Sequence, residues 1–202
     1  MSDLPRRSGA RTRAPDPIVT PMPIELRQAH AGDAAAIAAL HADSWRRHYR
    51  GAYSDAFLDG DVLADRLAAW SARLAETDPR RITVIAQQGG AVGFVHAVAD
   101  EHPRWGSLID NLHVTFSHKR SGIGRRLMGA AAVELQGRAQ LPRVHLWVLE
   151  VNTAARAFYE ALGGREVEAR EVPPPGGQRE RLCGSPVGVR CAWEDVGELI
   201  GG

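Results

Sequence analysis

Two closely spaced glycines at a predicted strand-to-helix junction give the clearest indication of chemistry in this sequence. Gly122 and Gly124 follow an apolar, strand-like segment and open an amphipathic helical pattern. The first N–H groups of a helix have no partner within it, and the helix dipole places partial positive charge behind them, so such a junction can bind phosphate groups. Three arginines of the same stretch are candidates for additional charge-assisted bonds to a diphosphate: Arg120, Arg125 and Arg126.

A glycine pair of this kind also occurs at ordinary junctions, where it only relieves steric conflict. That alternative stays open on the loop alone. Other common phosphate-binding patterns do not fit the sequence. A dinucleotide-binding fold would need G-x-G-x-x-G directly after the first strand and an acidic residue about 20 residues later, and a P-loop would need Gly-Lys followed by Ser or Thr.

A second stretch places an amide and a phenol on one predicted helix. Asn152 precedes the helical pattern, and Tyr159 lies two turns further on, sharing a face with Ala155 and Leu162. Small neighbours leave room for a ligand beside the phenol. Two structural alternatives accompany this interpretation: Asn152 can be the N-cap of the helix, and Tyr159 can be a core aromatic residue with its hydroxyl at the surface.

Together the two stretches resemble the GCN5-related N-acetyltransferases. Residues 119–124 are similar to the R/Q-x-x-G-x-G/A signature of that family, and residues 152–164 are similar to its N-x-x-A-x-x-F-Y-x-x-x-G-F stretch. The resemblance covers roughly residues 24–194. Three positions depart from the family pattern: Lys119 replaces Arg or Gln, Phe116 replaces a frequent Pro, and Gly164 replaces the final Phe, a packing residue.

The resemblance implies an acetyl-CoA-dependent N-acetyltransferase, an acyltransferase that moves the acetyl group to a primary amine by direct attack in a ternary complex. Acetyl-CoA would be a co-substrate, and no metal ion is expected. Asn152 would bond the pantetheine arm, and Tyr159 would point its hydroxyl toward the thioester sulfur. The other residues that the resemblance assigns to acetyl-CoA lie on the preceding strand and in the loop: Leu112, His113, Val114, Lys119, Arg120, Ser121, Gly122, Ile123, Gly124 and Arg125.

Forming an amide from a thioester needs a neutral amine, a stabilised oxyanion and a proton for the leaving thiolate. Because a lysine-like amine titrates near about 10.4, a general base should help at neutral pH, and Asp110 and His113 are the candidates. In a regular strand they face opposite sides, so at most one faces the acceptor; His113 can instead be a hydrogen-bonded core residue. A main-chain N–H of residues 112–114 would meet the oxyanion, and Tyr159 would act as general acid toward the thiol.

Aromatic residues of the first predicted helix indicate the acceptor side. The segment from His41 to Tyr53 resembles an H-x-x-S-W-x-x-x-Y stretch of family members whose first two helices wall the acceptor pocket, so Trp45 and Tyr49 are the candidate acceptor-binding residues. Packing of these two rings onto the sheet is the alternative. The sequence shows neither an acidic cluster that would demand a polyamine nor a basic cluster for an acidic metabolite. We expect the acceptor to be a small-molecule or protein amine.

The periodicity of the chain predicts the elements that must position these residues. A run of alternating segments in the middle predicts an antiparallel meander, and a strand–helix–strand–helix order after it predicts a locally parallel pair. Asp33 is the predicted N-cap of the first helix. With the resemblance, this indicates an α+β fold with a mixed, mostly antiparallel central sheet, a splayed parallel strand pair and flanking helices. The predicted strands cover residues 24–29, 81–87, 91–99, 107–114, 144–149, 165–172 and 187–193, and the predicted helices cover residues 33–51, 61–75, 122–137 and 153–162.

The length of 202 residues favours one domain with tails. Residues 1–22 are basic and rich in proline with little apolar surface, so we predict a disordered tail. A mitochondrial transit peptide is the alternative, although the prolines of this segment oppose the helix that such a peptide needs. We assign residues 23–196 to the N-acetyltransferase domain and residues 197–202 to a C-terminal tail.

Composition argues against several classes of partner. The 25 basic and 24 acidic residues nearly cancel, so no excess of positive charge favours nucleic acid. No segment is apolar enough for a membrane span or a secretory signal, and Cys183 and Cys191 are interpreted as reduced thiols. We therefore expect a cytoplasmic protein that binds neither nucleic acid nor a membrane, and a homodimer stays open.

Two other classes of function are kept as alternatives. The same fold can bind acyl-CoA without turnover, as a sensor or interaction module, and the departures at Lys119 and Gly164 permit this. A nucleotide- or phosphate-binding regulator is the other alternative. It would bind ADP or NAD as well as it binds acetyl-CoA.

Overall fold

The computed structural model describes residues 22–200, which form one mixed sheet with helices on both faces. Its seven strands have the spatial order β1-β2-β3-β4-β5-β7-β6. In chain order the strands are β1 (Glu25–Gln28), β2 (Arg81–Gln87), β3 (Ala91–His102), β4 (Gly106–Val114), β5 (Val144–Leu149), β6 (Arg165–Glu171) and β7 (Val187–Trp193). The helices are α1 (Ala34–His48), α2 (Asp55–Asp59), α3 (Val62–Ala75), α4 (Ile123–Gln136) and α5 (Thr153–Glu160). Short 3-10 turns occupy Ala31–Asp33, Phe116–His118, Pro175–Gly177, Arg179–Arg181 and Val196–Leu199.

The pairing of the strands confirms the predicted fold class. Strands β1 to β4 form the expected antiparallel meander. Strands β4 and β5 run parallel, whereas every other neighbouring pair is antiparallel. Strand β7 pairs with β5 on one side and with β6 on the other, so it lies between them.

The parallel pair is short, and its end opens the sheet. Strands β4 and β5 are in register only from Ser107 to Ile109. Beyond that point β4 continues to Val114 and β5 to Leu149 without pairing to each other. The edge of residues 110–114 that faces β5 therefore has no neighbouring strand.

A β-bulge lies where the two strands separate. On β3, His96 pairs with Asn111 and Ala97 pairs with Ile109, so Asp110 has no partner of its own. An extra residue of this kind disrupts the regular alternation of side chains between the two faces of a sheet. Side chains after residue 110 therefore point to the opposite face of the sheet from the one that strict alternation along the sequence predicts.

Different helices cover the two faces of the sheet. On one face, the main core cluster contains Leu127 and Leu135 of α4 together with Tyr159 of α5. On the other face, Ile37 of α1 and Trp70 of α3 pack against the meander. The opening between β4 and β5 thus lies between the layer of α4 and α5 and the layer of α1 and α3.

Asp33 stands directly before α1, as predicted, but its side chain does not cap that helix. Its carboxylate accepts bonds from Arg27 at 2.7 and 2.8 Å and from the main-chain N–H of His30 at 2.9 Å. The bond to Arg27 is the main cause that lowers the pKa of Asp33 to about 2. The predicted N-cap position is therefore confirmed, but the capping bond is absent because a nearby guanidinium and the preceding 3-10 turn bind the carboxylate instead.

Gly164, where the resembling family carries Phe, lies against the indole of Trp193. A Cβ at position 164 would lie 2.6 Å from Cζ2 of Trp193, which is closer than two carbons can approach. The indole is buried, and its Nε1 donates to the carbonyl of Leu162 at 2.8 Å. Trp193 of β7 thus occupies the space beside Gly164.

The packed body ends later than the predicted C-terminal boundary, whereas the predicted N-terminal tail is not tested. Residues 1–21 of the predicted basic tail lie outside the described residues. Val196–Leu199 form a 3-10 turn, and Val196 and Leu199 pack into the main core cluster, so the packed body extends beyond residue 196. Within residues 22–200, we find no helix with the length and apolar character required to span a bilayer.

Three buried histidines make the stability of the fold depend on pH. His41, His96 and His145 are each at most 2 % exposed, and burial lowers their pKa values, to about 3 for His96 and His145. Between about pH 6.5 and 3 the unfolded chain binds protons that the folded chain does not, so stability falls as the pH falls through that window. We expect the free energy of unfolding to drop by about 1–2 kcal/mol per histidine between pH 7.5 and 5, measured by urea denaturation.

The variant His96→Asn provides the control for this expectation. His96 Nδ1 lies 2.7 Å from the hydroxyl of Thr83, so the variant loses a buried contact and is less stable than the parent at pH 7.5. It should lose less stability than the parent on acidification, because one titrating group is gone. Equal urea midpoints for the parent protein at the two pH values would contradict the expectation.

Candidate functional site

The loop between β4 and α4 presents main-chain N–H groups at the start of α4. Gly122 is the N-cap residue and has a φ of +82°, a left-handed conformation that suits glycine. The first main-chain bond back to the cap is donated by Arg126 to the carbonyl of Gly122 at 3.1 Å. The N–H groups of Ile123, Gly124 and Arg125 come before that bond and have no partner within the helix. This helix start can therefore receive an anion.

The second glycine of the loop has a packing role. A Cβ at Gly124 would lie 3.3 Å from Cζ of Phe158, so a side chain there would press against α5. The absence of a side chain lets α4 and α5 approach each other. Tyr159, the neighbour of Phe158, is thereby held close to the start of α4.

Two of the four charged side chains near the loop have partners outside it. Lys119 Nζ donates to Nε2 of His48 at the end of α1, 2.8 Å away. Burial lowers the pKa of Lys119, and the nearby charge of Arg47 adds to this effect. Arg126 donates to the carbonyl of Ile24 at 3.0 Å and so does not supplement the helix start as expected. The main-chain N–H groups at the start of α4 are therefore the core of the candidate anion site, with Arg120 and Arg125 beside them.

Arg120 and Ser121 shape the loop itself. Arg120 has a φ of +61° and an exposed side chain. The hydroxyl of Ser121 donates to the carbonyl of His118 at 2.5 Å. These two features form the tight turn that leads into Gly122.

The open edge of β4 offers main-chain groups from alternate residues. Thr115 N donates to the carbonyl of Val92 beside β3 at 2.9 Å, and main-chain groups of an antiparallel strand alternate in direction. The main-chain groups of His113 therefore point toward β3 as well, whereas those of Leu112 and Val114 point to the open edge. Of residues 112–114, only Leu112 and Val114 can supply main-chain bonds to a ligand at this edge.

Tyr159 is a core residue with a protonated hydroxyl. It is 9 % exposed, and its ring centroid lies 5.3 Å from that of Phe158 and 6.3 Å from that of Trp193. Burial raises the pKa of the Tyr159 hydroxyl, so this group keeps its proton at neutral pH and can act as a donor. Ala155 and Leu162 belong to the same core cluster, in agreement with the predicted helix face.

Asn152 caps α5, which confirms the structural role predicted for it. Its Oδ1 accepts a bond from the N–H of Ala155 at 3.3 Å. The cap uses only the side-chain oxygen. The amide NH₂ group of Asn152 is left for a second partner, so capping and ligand binding do not compete.

Asp110 and His113 lie on the same face of the sheet, and the prediction that they face opposite sides is wrong. Asp110 accepts a bond from Arg73 of α3 at 2.8 Å, and the ring of His113 lies against His41 of α1 with centroids 4.6 Å apart. Both helices cover that face. The bulge at Asp110 is the physical reason, because the extra residue shifts the alternation of the side chains by one.

The surroundings of His113 make it a weak base. Its ring packs beside His41 and beside Phe94, 5.2 Å away, and burial lowers its pKa to about 3. A cavity lies where β4 and β5 separate, and Asp110 lines it whereas His113 does not. Asp110 is thus the candidate base that the geometry favours.

A cavity of about 290 Å³ lies where β4 and β5 separate, on the face covered by α1. Both predicted acceptor residues, Trp45 and Tyr49, line it, and they also pack against each other with centroids 5.5 Å apart. Acceptor binding and packing, the two predicted interpretations, are therefore compatible at these two rings. The sequence analysis did not assign the other chemically informative residues of the wall, which come from distant segments: Tyr53, Glu101, Trp147, Arg170 and Glu171.

Tyr49 connects this cavity to Tyr159. Burial raises the pKa of Tyr49 to about 12, and the negative charge of Asp110 contributes to the rise. Tyr49 is in turn one of the groups that raise the pKa of Tyr159. Tyr49 thus interacts electrostatically with Asp110 in the cavity and with Tyr159 on α5.

A larger cleft of about 630 Å³ is bounded by residues of α5, β6 and β7 and shares no lining residue with the first cavity. On its wall, Arg156 pairs with Glu166 at 2.6 Å. Cys191 is buried there, and burial raises its pKa to about 11. Among residues 22–200, no group of three or more His, Cys, Asp and Glu side chains is arranged to hold a metal ion.

Comparison with known proteins gives two matches at the level of sequence. The model of the acetyltransferase (GNAT) family matches residues 39–164. A protein named as a probable N-acetyltransferase of Mycobacterium tuberculosis is 31 % identical over 148 residues, which cover 69 % of this chain and 79 % of that protein.

Solved structures show the same fold at lower identity. The PaiA N-acetyltransferase of Thermoplasma acidophilum, solved with coenzyme A, has a TM-score of 0.65 at 16 % identity and covers 85 % of this chain and 100 % of its own. NAA60 of Arabidopsis thaliana, solved with acetyl-CoA, has a TM-score of 0.60 at 17 % identity and covers 85 % of this chain and 98 % of its own.

Proposed function

The chain belongs to the acetyltransferase (GNAT) family, and from that premise we propose that it moves the acetyl group of acetyl-CoA to a primary amine by direct attack in a ternary complex. One arrangement carries the proposal. The start of α4 presents free N–H groups, the adjoining edge of β4 is unpaired, and the cavity lies at the opening of that edge. An anion site, a strip of main chain and a pocket in this order fit a donor with a diphosphate at one end and a thioester at the other.

In this proposal the donor is held mostly by main-chain groups. The N–H groups of Ile123, Gly124 and Arg125 receive the diphosphate. The pantetheine arm bonds to Leu112 and Val114 along the open edge, as an added strand would. The two solved relatives with coenzyme A or acetyl-CoA support this choice of donor.

The amine attacks from the cavity side. Asp110 removes the excess proton of the ammonium group, directly or through water, and the neutral nitrogen then bonds to the thioester carbonyl carbon. The carbonyl oxygen becomes an oxyanion, which accepts a bond from an N–H at the open edge of β4. Leu112 and Val114 are the residues whose N–H groups point there.

Collapse of the tetrahedral intermediate breaks the carbon–sulfur bond. The hydroxyl of Tyr159 donates its proton to the departing sulfur, since burial keeps this phenol protonated. The proton that the nitrogen loses restores the phenol. The products are an N-acetylated amine and the free thiol of coenzyme A.

Thermal unfolding with and without acetyl-CoA tests the proposal. A ligand at 100 times its Kd adds about 2.7 kcal/mol of stability, which should raise the Tm by about 5–11 °C for a domain of this size. ADP and NAD serve as controls, because a nucleotide-binding regulator would respond to them equally. Thiol release with a panel of amines then measures turnover.

Two results would contradict the proposal. An unchanged Tm with acetyl-CoA would exclude it as the donor. A raised Tm without thiol release for any amine would favour an acyl-CoA sensor without turnover.

A further inference from the structure

The cavity beside Asp110 narrows the class of amine. Resting on the proposed function, we propose that the acceptor is a short aliphatic amine that carries a second positive charge. This inference rests on three features of the cavity: carboxylates without a cationic partner, aromatic walls and a limited volume.

Three carboxylates from three different strands line the cavity: Glu101 of β3, Asp110 of β4 and Glu171 of β6. Asp110 is paired with Arg73 at 2.8 Å. Among the side chains of residues 22–200, Glu101 has only His145 within ion-pair distance, at 3.3 Å, and Glu171 has no ionic partner. His145 is neutral at pH 7, because burial lowers its pKa to about 3. Within the described chain, Glu101 and Glu171 therefore have no cationic partner within ion-pair distance.

Two guanidinium groups lie over the indole of Trp147, and one of them also forms an ion pair. Arg170 stacks over the indole of Trp147 at 4.0 Å. Arg190 is buried, lies over the same indole at 4.5 Å, and pairs with Glu168 at 3.0 Å. Stacking on a neutral indole leaves the positive charge of Arg170 on the cavity wall, so Arg170 and Arg73 together offset two of the three carboxylates. The cavity keeps an excess of one negative charge, which attracts cations and repels an acceptor that carries its own carboxylate.

Aromatic rings form the wall on the side of α1. The ring centroid of Tyr53 lies 4.9 Å from that of Trp45 and 4.9 Å from that of Tyr49. Such rings attract an ammonium group within about 6 Å of their centroids. The same rings exclude water from an aliphatic chain. The wall can therefore contact both the ammonium groups and the methylene groups of a short diamine.

The volume limits the length of the acceptor. A water molecule occupies about 30 Å³ in the liquid, so a cavity of about 290 Å³ holds on the order of ten small groups. A four-carbon chain with an amino group at each end fits that space. Its reacting nitrogen would lie by Asp110, and its second ammonium group would lie by Glu101 or Glu171.

Three acceptors of nearly equal length test the inference: 1,4-diaminobutane, butylamine and 4-aminobutanoate. They differ at the far end, which is cationic, neutral or anionic. With acetyl-CoA as donor, we expect kcat/KM for the diamine to exceed that for butylamine at least about tenfold and 4-aminobutanoate to be the poorest acceptor. The preference for the diamine should fall as salt is added.

A charge-neutral variant identifies the groups responsible. In the double variant Glu101→Gln and Glu171→Gln, the ratio of kcat/KM between diamine and butylamine should approach one, because the two groups that distinguish a cationic far end from a neutral one are gone. Glu194→Gln is the matched control, because Glu194 is exposed, does not line the cavity and pairs with Arg143 at 2.9 Å. This control should keep the parent's preference. The Tm shift with acetyl-CoA reports whether each variant is folded.

The outcomes separate this inference from the proposed function. Equal or better use of butylamine or 4-aminobutanoate by the parent would overturn the inference and leave acetyl transfer intact. Acetylation of a peptide amine without acetylation of any of the three small amines would do the same. An unchanged Tm with acetyl-CoA would refute the proposed function, and the inference would fall with it.

Discussion

Replacement of Tyr159 by Phe should lower kcat for acetyl transfer by about 10²–10³-fold and leave the Kd of acetyl-CoA within about threefold of the parent. The reason is that the hydroxyl is the proposed proton donor to the leaving thiolate, and its burial keeps it protonated. Phe preserves the ring that packs beside Phe158 and Trp193. Steady-state thiol release gives kcat, and isothermal calorimetry gives the Kd.

Tyr49→Phe is the matched comparison, because it removes another desolvated phenol from the same region. Tyr49 lines the cavity, so this variant should raise the KM for the amine more than it lowers kcat. A parent-like kcat in Tyr159→Phe would remove that hydroxyl from the mechanism. A large loss of acetyl-CoA affinity in the same variant would show that the residue serves packing instead.

The second large effect concerns the start of α4. Gly122→Val should weaken acetyl-CoA binding by about 30- to 100-fold, because a β-branched residue at a φ of +82° is strongly disfavoured. A left-handed residue costs about 1–2 kcal/mol, and a relaxed loop turns away N–H groups that each contribute about 0.3–2 kcal/mol at a helix start. A Cβ at this position would meet no atom within 4 Å, so the effect arises from the backbone and not from a clash. Calorimetry with acetyl-CoA measures the change.

Gly184→Val separates loss of binding from loss of stability. Gly184 has a φ of +63°, and a Cβ there would also meet no atom within 4 Å. This variant carries similar backbone strain away from α4, so it should unfold at a lower temperature and retain the parent's Kd within about twofold. If Gly122→Val also retained that Kd, main-chain N–H groups at α4 would not be the diphosphate site.

Local patterns were sufficient to predict the elements around the donor site. The predicted bounds of β2, β5 and β7 agree with the structure, because each is a short, mostly apolar run bounded by turn residues. Helix α4 begins at Ile123, one residue after its predicted start at Gly122. The left-handed φ of Gly122 is a conformation that glycine adopts readily. The features needed at this site are close together in the chain, which is why they could be identified there.

The acceptor side depends on contacts between distant segments. Glu101, Trp147 and Glu171 meet only after the sheet has assembled, so no local pattern marks them as one cavity. The sequence analysis accordingly found no acidic cluster. The bulge at Asp110 has no local signal either, because it is defined by a mismatch of register with β3.

One smaller difference has a similar cause. Helix α2 was not predicted, since its five residues, Asp55–Asp59, are too few to show a helical period. Helix α3, by contrast, ends at Ala75, as its longer helical pattern predicts. For the short helix, packing of neighbouring residues and not the local pattern decides where the element begins and ends.

The place of β7 between β5 and β6 determines when the protein can finish folding during its synthesis. Strands β5 and β6 leave the ribosome first, yet they are joined in the sheet only through β7. Until residues 187–193 emerge, β5 has an unpaired side and β6 has no neighbour at all. Every residue of β6 is exposed in the finished fold, and five of its seven residues are charged, which opposes its association with other nascent chains while it waits.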